Sequence, residues 1–137
     1  KALFSDRDII AVVPDLMTNS SDFVAMGKWE ELNNAVMAYV QDLSEKQGIT
    51  NLLYQSYPGV DPSICWMDKE GVFNWMMVKT MKENEEEPSF DQYIISKLKE
   101  TGGKGHLAKV LLSNPNTQGI LPRGEGVDIK MEIEDLS

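Results

Sequence analysis

Two residues near the middle of the chain have the types and spacing to do chemistry together. Asp61 stands near the head of one apolar run, Val60-Asp61-Pro62-Ser63-Ile64-Cys65-Trp66-Met67-Asp68. Lys79 closes another, Val72-Phe73-Asn74-Trp75-Met76-Met77-Val78-Lys79, with Lys69-Glu70-Gly71 between the two. Apolar runs flanking a tight turn predict a β-hairpin, with a carboxylate and an ammonium at matching ends of adjacent strands. Carboxylate oxygens suit a hard cation such as Mg²⁺, and a neighbouring ammonium can stabilise negative charge. Strand side chains alternate, so Met77 shares a face with Lys79. A thioether is soft, uncharged and a poor ligand for Mg²⁺. A plainer reading stays open: Asp61-Pro62 fits a turn before a strand, and Lys79 fits an ordinary strand end.

The remaining candidates point to structure. His106 is the one histidine, which rules out a two-histidine metal site, and no paired Ser or Cys motif accompanies it. Gly102-Gly103-Lys104-Gly105 lacks the Walker spacing and ends a helix instead of opening one, so it reads as a C-cap loop. Cys65 is the only cysteine, which excludes an intramolecular disulfide and a Cys-based zinc cluster. Inside the hairpin it reads as a small buried hydrophobe. Trp66 and Trp75 are expected to face one another across the hairpin as core, and the eight methionines read as core filling.

The elements that must position these residues follow from periodicity. Trp29, Leu32, Val36, Tyr39, Val40 and Leu43 form an apolar stripe that predicts a helix from Lys28 to Gln47, stopped by Gly48. Ile49 to Tyr57 reads as a strand bounded by Pro58-Gly59, and the hairpin follows. Lys82 to Pro88 is a charged, solvated connector. Ser89 is expected to cap a second helix, with Gln92 completing a capping box and Phe90, Tyr93, Ile94 and Leu98 on the buried face. His106 to Ser113 is a strand. In the last strand Val127, Ile129, Met131 and Ile133 alternate with Asp128, Lys130, Glu132 and Glu134, which predicts half exposure. Before all this, Ser5-Asp6-Arg7-Asp8 suggests a short helix broken at Pro14, with a second start near Ser20-Ser21-Asp22.

The expected class is α+β: a mixed sheet of about five strands with two helices, in the order α-β-β-β-α-β-β and with a three-layer-like arrangement. A chain of 137 residues is read as one domain, with an N-terminal extension (1–27), a core (28–113) and a C-terminal loop and strand (114–137). No apolar run approaches the ~20 residues of a membrane helix, and no signal-peptide pattern is visible, so a cytoplasmic protein is expected. The net charge of -9 lacks any basic block. It disfavours a large nucleic-acid footprint and favours a protein partner with a basic surface.

That element order, with those residues, resembles the PD-(D/E)xK nuclease superfamily from about Trp29 to Ser113. The resemblance implies a metal-dependent nuclease core. Its aspartate falls on Asp61, its acid-x-Lys element on Met77-Val78-Lys79, and a first-helix glutamate on Glu30 or Glu31. It implies Asp61 and Lys79 as catalytic residues, and Asp61 with Glu31 around Mg²⁺. The acid of the acid-x-Lys element is replaced by Met77, so the site is degenerate, and Asp91 or Gln92 of the second helix is the substitute to test. Two functions follow. One is a non-catalytic interaction or accessory protein, such as an immunity protein or inhibitor in a mobile-element or defence system, needing no cofactor. The other is a Mg²⁺-dependent nuclease with a rearranged acid. An unrelated small α+β protein would leave every named residue structural.

Overall fold

The computed structural model describes residues 24–117 and 120–136. The helix starts expected between Ser5 and Asp22 lie outside the described residues. Helix α1 (Lys28–Gln41) begins after Gly27, whose N–H donates to Glu30 Oε1 at 3.1 Å. It continues as a π-helical turn, Asp42–Lys46, and Gly48 ends the run with a positive φ of 71°. Leu32, Ala35, Val36, Val40 and Leu43 are buried along one stripe, as the periodicity predicts.

Five strands follow: β1 (Leu52–Tyr54), β2 (Ile64–Met67), β3 (Phe73–Lys82), β4 (Lys104–Ser113) and β5 (Asp128–Asp135), with helix α2 (Gln92–Lys99) between β3 and β4. They form one mixed sheet in the order β1-β2-β3-β4-β5. The β3–β4 pair is parallel, bridged by α2, and the other pairs are antiparallel. The expected α+β class and element order are those of the molecule.

Alternation along the central strands divides the core into two layers. Ile64, Trp66, Met76, Val78, Ala108, Val110 and Leu112 meet α1. Trp75, Met77 and Leu107 meet Ile95 of α2, with Phe90, Ile94 and Leu98 packed alongside. The helices therefore cover opposite faces of the sheet. This corrects the expected tryptophan pair: Trp66 is registered with Asn74 and Trp75 with Cys65, so the two rings lie on opposite faces. Both are buried, as expected of core residues.

Several boundaries differ from the sequence reading for local reasons. The strand expected over Ile49–Tyr57 contracts to three residues. Ile49 is buried and its N–H closes the helix end on Leu43 O, while beyond Tyr54 the Gln55 amide holds the loop through Val60 O and Pro62 O. That loop also delays β2 until Ile64. Helix α2 is capped by Asp91, not Ser89: Asp91 Oδ1 accepts from the N–H groups of Tyr93 and Ile94. The two-residue shift puts Ile95 in the core and leaves Tyr93 exposed. Gly102 ends the helix segment with positive φ, as a C-cap glycine should. Gly103 and Gly105 are needed for close approach, since a Cβ at Gly105 would lie 2.3 Å from the Trp75 ring.

Candidate functional site

The antiparallel β2–β3 ladder runs only from Met67↔Phe73 to Ile64↔Met76. Beyond it β3 continues to Lys82, while the chain before β2 turns away as the Pro58–Ser63 loop. A cleft of about 220 Å³ opens at this split. Asp61 and Ser63 line it from the loop, Lys28 and Leu32 from α1, and Val78 and Lys79 from β3. The aspartate and lysine singled out in the sequence therefore do converge. Asp61 Oδ2 lies 3.6 Å from Lys79 Nζ, with the carboxylate side chain only 4% exposed.

The two glutamates at the head of α1 have separate partners. Glu31 is 4% exposed and its Oε2 accepts from Lys82 Nζ at 3.1 Å. Its other oxygen lies 3.9 Å from Lys28 Nζ. Glu30 instead takes a forked contact from Arg123, with distances of 2.7–3.0 Å. Burial alone would raise the Glu30 carboxyl, but the Arg123 hydrogen bonds and charge and the Gly27 N–H outweigh it and hold it below the usual range. This clamp secures the start of α1 to the segment that also bridges Ala25 and Pro122.

Met77 is fully buried in the α2-side core, among Trp75, Ile95 and Leu107. Asp91 is occupied as the α2 N-cap, and Gln92 is exposed along a groove on the α2 side. Among the described residues no three His, Cys, Asp or Glu side chains gather closely enough to hold a metal ion. The donors present do not suit Mg²⁺, which takes six oxygens in near-ideal octahedral geometry. The one carboxylate lining the cleft is paired with Lys79, and Glu31 is held by lysines.

His106 stands apart from this cleft as the middle of a chain of polar contacts. Its Nδ1 is 2.6 Å from Asp135 Oδ1 and its Nε2 is 2.8 Å from Asn74 Oδ1. Asn74 in turn donates to Asp68 Oδ2 and Val72 O, and the His106 ring stacks on Trp66 at 5.2 Å. These contacts connect β5, β4 and β3 to the hairpin turn. Asp68 Oδ1 caps that turn by accepting from Glu70 and Val72, and such bonds hold its carboxyl below the usual range. Burial pushes the Cys65 thiol up, away from the reactive thiolate.

A second groove, missed in the sequence, lies on the α2 side. About 440 Å³ in volume, it is lined by Phe90, Leu107, Lys109, Glu132, Ile133 and Glu134. Lys109 is the cross-strand partner of Lys79 and donates to Glu87 at 2.9 Å. That hydrogen bond and the Glu87 charge raise the Lys109 ammonium above its usual value. No local pattern signals this groove, because its residues come from the connector, β4 and β5.

Among the described residues no helix is long and apolar enough to cross a membrane. No curated protein and no solved structure matches the chain. The model of a family described as a domain of unknown function, DUF8840, matches residues 30–136. That span takes in all five strands, Asp61 and Lys79, and both helices but for the first residues of α1, and the chain belongs to the DUF8840 family.

Proposed function

We propose that the protein is a non-catalytic interaction module, a nuclease-like scaffold whose cleft charges are neutralised internally and whose acidic exterior meets a basic protein. The observation that carries this reading is the pairing of the two buried carboxylates. Asp61 is matched by Lys79 and Glu31 by Lys82, at 3.6 and 3.1 Å. A divalent ion would have to displace both lysines from carboxylates already removed from water, and would still lack a third acid. Met77 supports the same reading, because its side chain fills the core and leaves no room for an acid-x-Lys carboxylate. The net charge of -9 favours a basic protein over a polyanion.

The second reading, a Mg²⁺-dependent nuclease, draws support from one observation. Asp61 and Lys79 meet in a single cleft at the split between two strands, beside the head of the first helix. Incubation of linear and supercoiled DNA with the protein in millimolar Mg²⁺ or Mn²⁺ separates the readings. The interaction module leaves both substrates intact. Cleavage that disappears in Asp61→Ala and in Lys79→Ala sinks it.

A further inference from the structure

Away from the cleft between β2 and β3, the sheet ends at β5. Among the described residues β5 has β4 as its only neighbouring strand, and no described strand pairs with its eight-residue outer edge. The direction of its backbone groups follows from the ladder. Leu136 N–H donates to Gly105 O, and Asp135 is registered with His106. Antiparallel alternation then turns the even-numbered residues of β5 toward β4 and the N–H and C=O of Ile129, Met131 and Ile133 outward.

Exposed edges are usually blunted by proline, bulges or charged side chains. This one has no proline and an unbroken register from Asp128 to Asp135. Its charges are four acids against the single Lys130, a guard that turns away acidic strands and admits a basic one. Its side chains have two chemistries. Ile129 and Ile133 lie on the α1 face yet remain 36% and 43% exposed. Glu132 and Glu134 stand on the opposite face, with Asp128 and Asp135 at the ends.

We propose that this edge docks an extended segment of a basic partner as an added strand. The segment's backbone pairs with Ile129, Met131 and Ile133, its apolar side chains cover Ile129 and Ile133, and its Lys or Arg side chains meet Glu132 and Glu134. The charge pattern selects this occupant over a second copy. Asp128, Glu132, Glu134 and Asp135 against Lys130 make the strand net negative, so two copies repel. Symmetric antiparallel pairing centred on Met131 sets Lys130 opposite Glu132 but Asp128 opposite Glu134, whereas a basic segment meets no like charge at any of the four acids. The inference rests on the interaction reading above and gives it a surface and a partner conformation.

The test uses the acetylated, amidated peptide Lys-Val-Lys-Val-Lys-Val-Lys, titrated into the ¹⁵N-labelled full chain at low and moderate salt. Expected are amide shifts concentrated at Ile129, Met131 and Ile133, weakening as salt rises. Ile133→Pro removes an outward N–H without touching the β4 ladder, a place where an edge strand tolerates proline. It should bind at least about tenfold more weakly, a loss of ~1.4 kcal/mol. Glu132→Lys combined with Glu134→Lys should weaken binding likewise, and decides the matter if the proline variant does not fold. Shifts located elsewhere, unchanged affinity in these variants, or no binding at millimolar peptide overturn the proposal. A dimer of the free protein that Ile133→Pro dissociates also overturns it, in favour of a second copy. Each of these leaves the interaction reading standing, whereas metal-dependent DNA cleavage removes that reading itself.

Discussion

The Asp61–Lys79 pair offers a quantitative test of internal neutralisation. Two unit charges at 3.6 Å attract by about 5 kcal/mol at an effective dielectric of about 20. Lys79 is 28% exposed and Asp61 only 4%, so water screens one partner while the other bears most of the desolvation. The net coupling should fall to about 1–3 kcal/mol. Lys79→Met should be the costlier single change, about 3 kcal/mol, because it strands a carboxylate that water scarcely reaches. Asp61→Asn should cost less, since the partly exposed ammonium can turn to solvent. The double variant should be more stable than the sum of the single losses predicts. Urea unfolding of all four proteins measures the cycle. Additivity within about 0.5 kcal/mol would falsify the pairing as an energetic fact and leave it a mere proximity.

Two further outcomes follow from the same structure. Met77→Glu places a carboxylate in the fully buried α2-side core beside Trp75 and Leu107, and should cost at least about 3 kcal/mol in urea without creating Mn²⁺ affinity. A stable, metal-binding variant would show that position 77 still faces the cleft. The clamp on Glu30 lowers its folded carboxyl below the unfolded one, so its contribution is present above the unfolded value and is lost as pH falls through the folded one. Arg123→Met should flatten this acid limb of the stability profile, and the prediction fails if both proteins lose stability identically below pH about 4.

The parts of the fold readable in the sequence are those encoded within one element. The α1 stripe and the alternation of β5 each repeat at a period set by the local backbone. The half exposure expected of β5 is not met: within the strand only Met131 is part-buried, because α1 does not reach over the outer strand enough to cover Ile129 and Ile133. The proximity of Asp61 and Lys79 was also readable, because both flank one hairpin, although Asp61 sits in the loop before β2 and not on the strand the sequence suggests. The misplaced features depend on choices between near-equivalent local partners. Ser89 and Asp91 can each cap a helix, and the apolar core needs Ile95 buried, which selects Asp91. Trp66 and Trp75 flank one turn, but a register of Cys65 opposite Trp75 sends the rings to opposite faces. The neutralising contact between Glu31 and Lys82 spans 51 positions and follows from β3 running on past Lys79, which no local pattern announces. The same holds for the groove around Lys109, whose walls meet only after α2 carries the chain across the sheet.

Divalent-ion binding decides whether Asp61 and Glu31 are neutralised internally. Calorimetric titration of Mn²⁺ into the protein, beside Asp61→Ala, reports whether the buried carboxylates are available as ligands. Internal neutralisation predicts no binding heat at millimolar Mn²⁺ for either protein. Saturable binding in the parent protein that Asp61→Ala abolishes contradicts it.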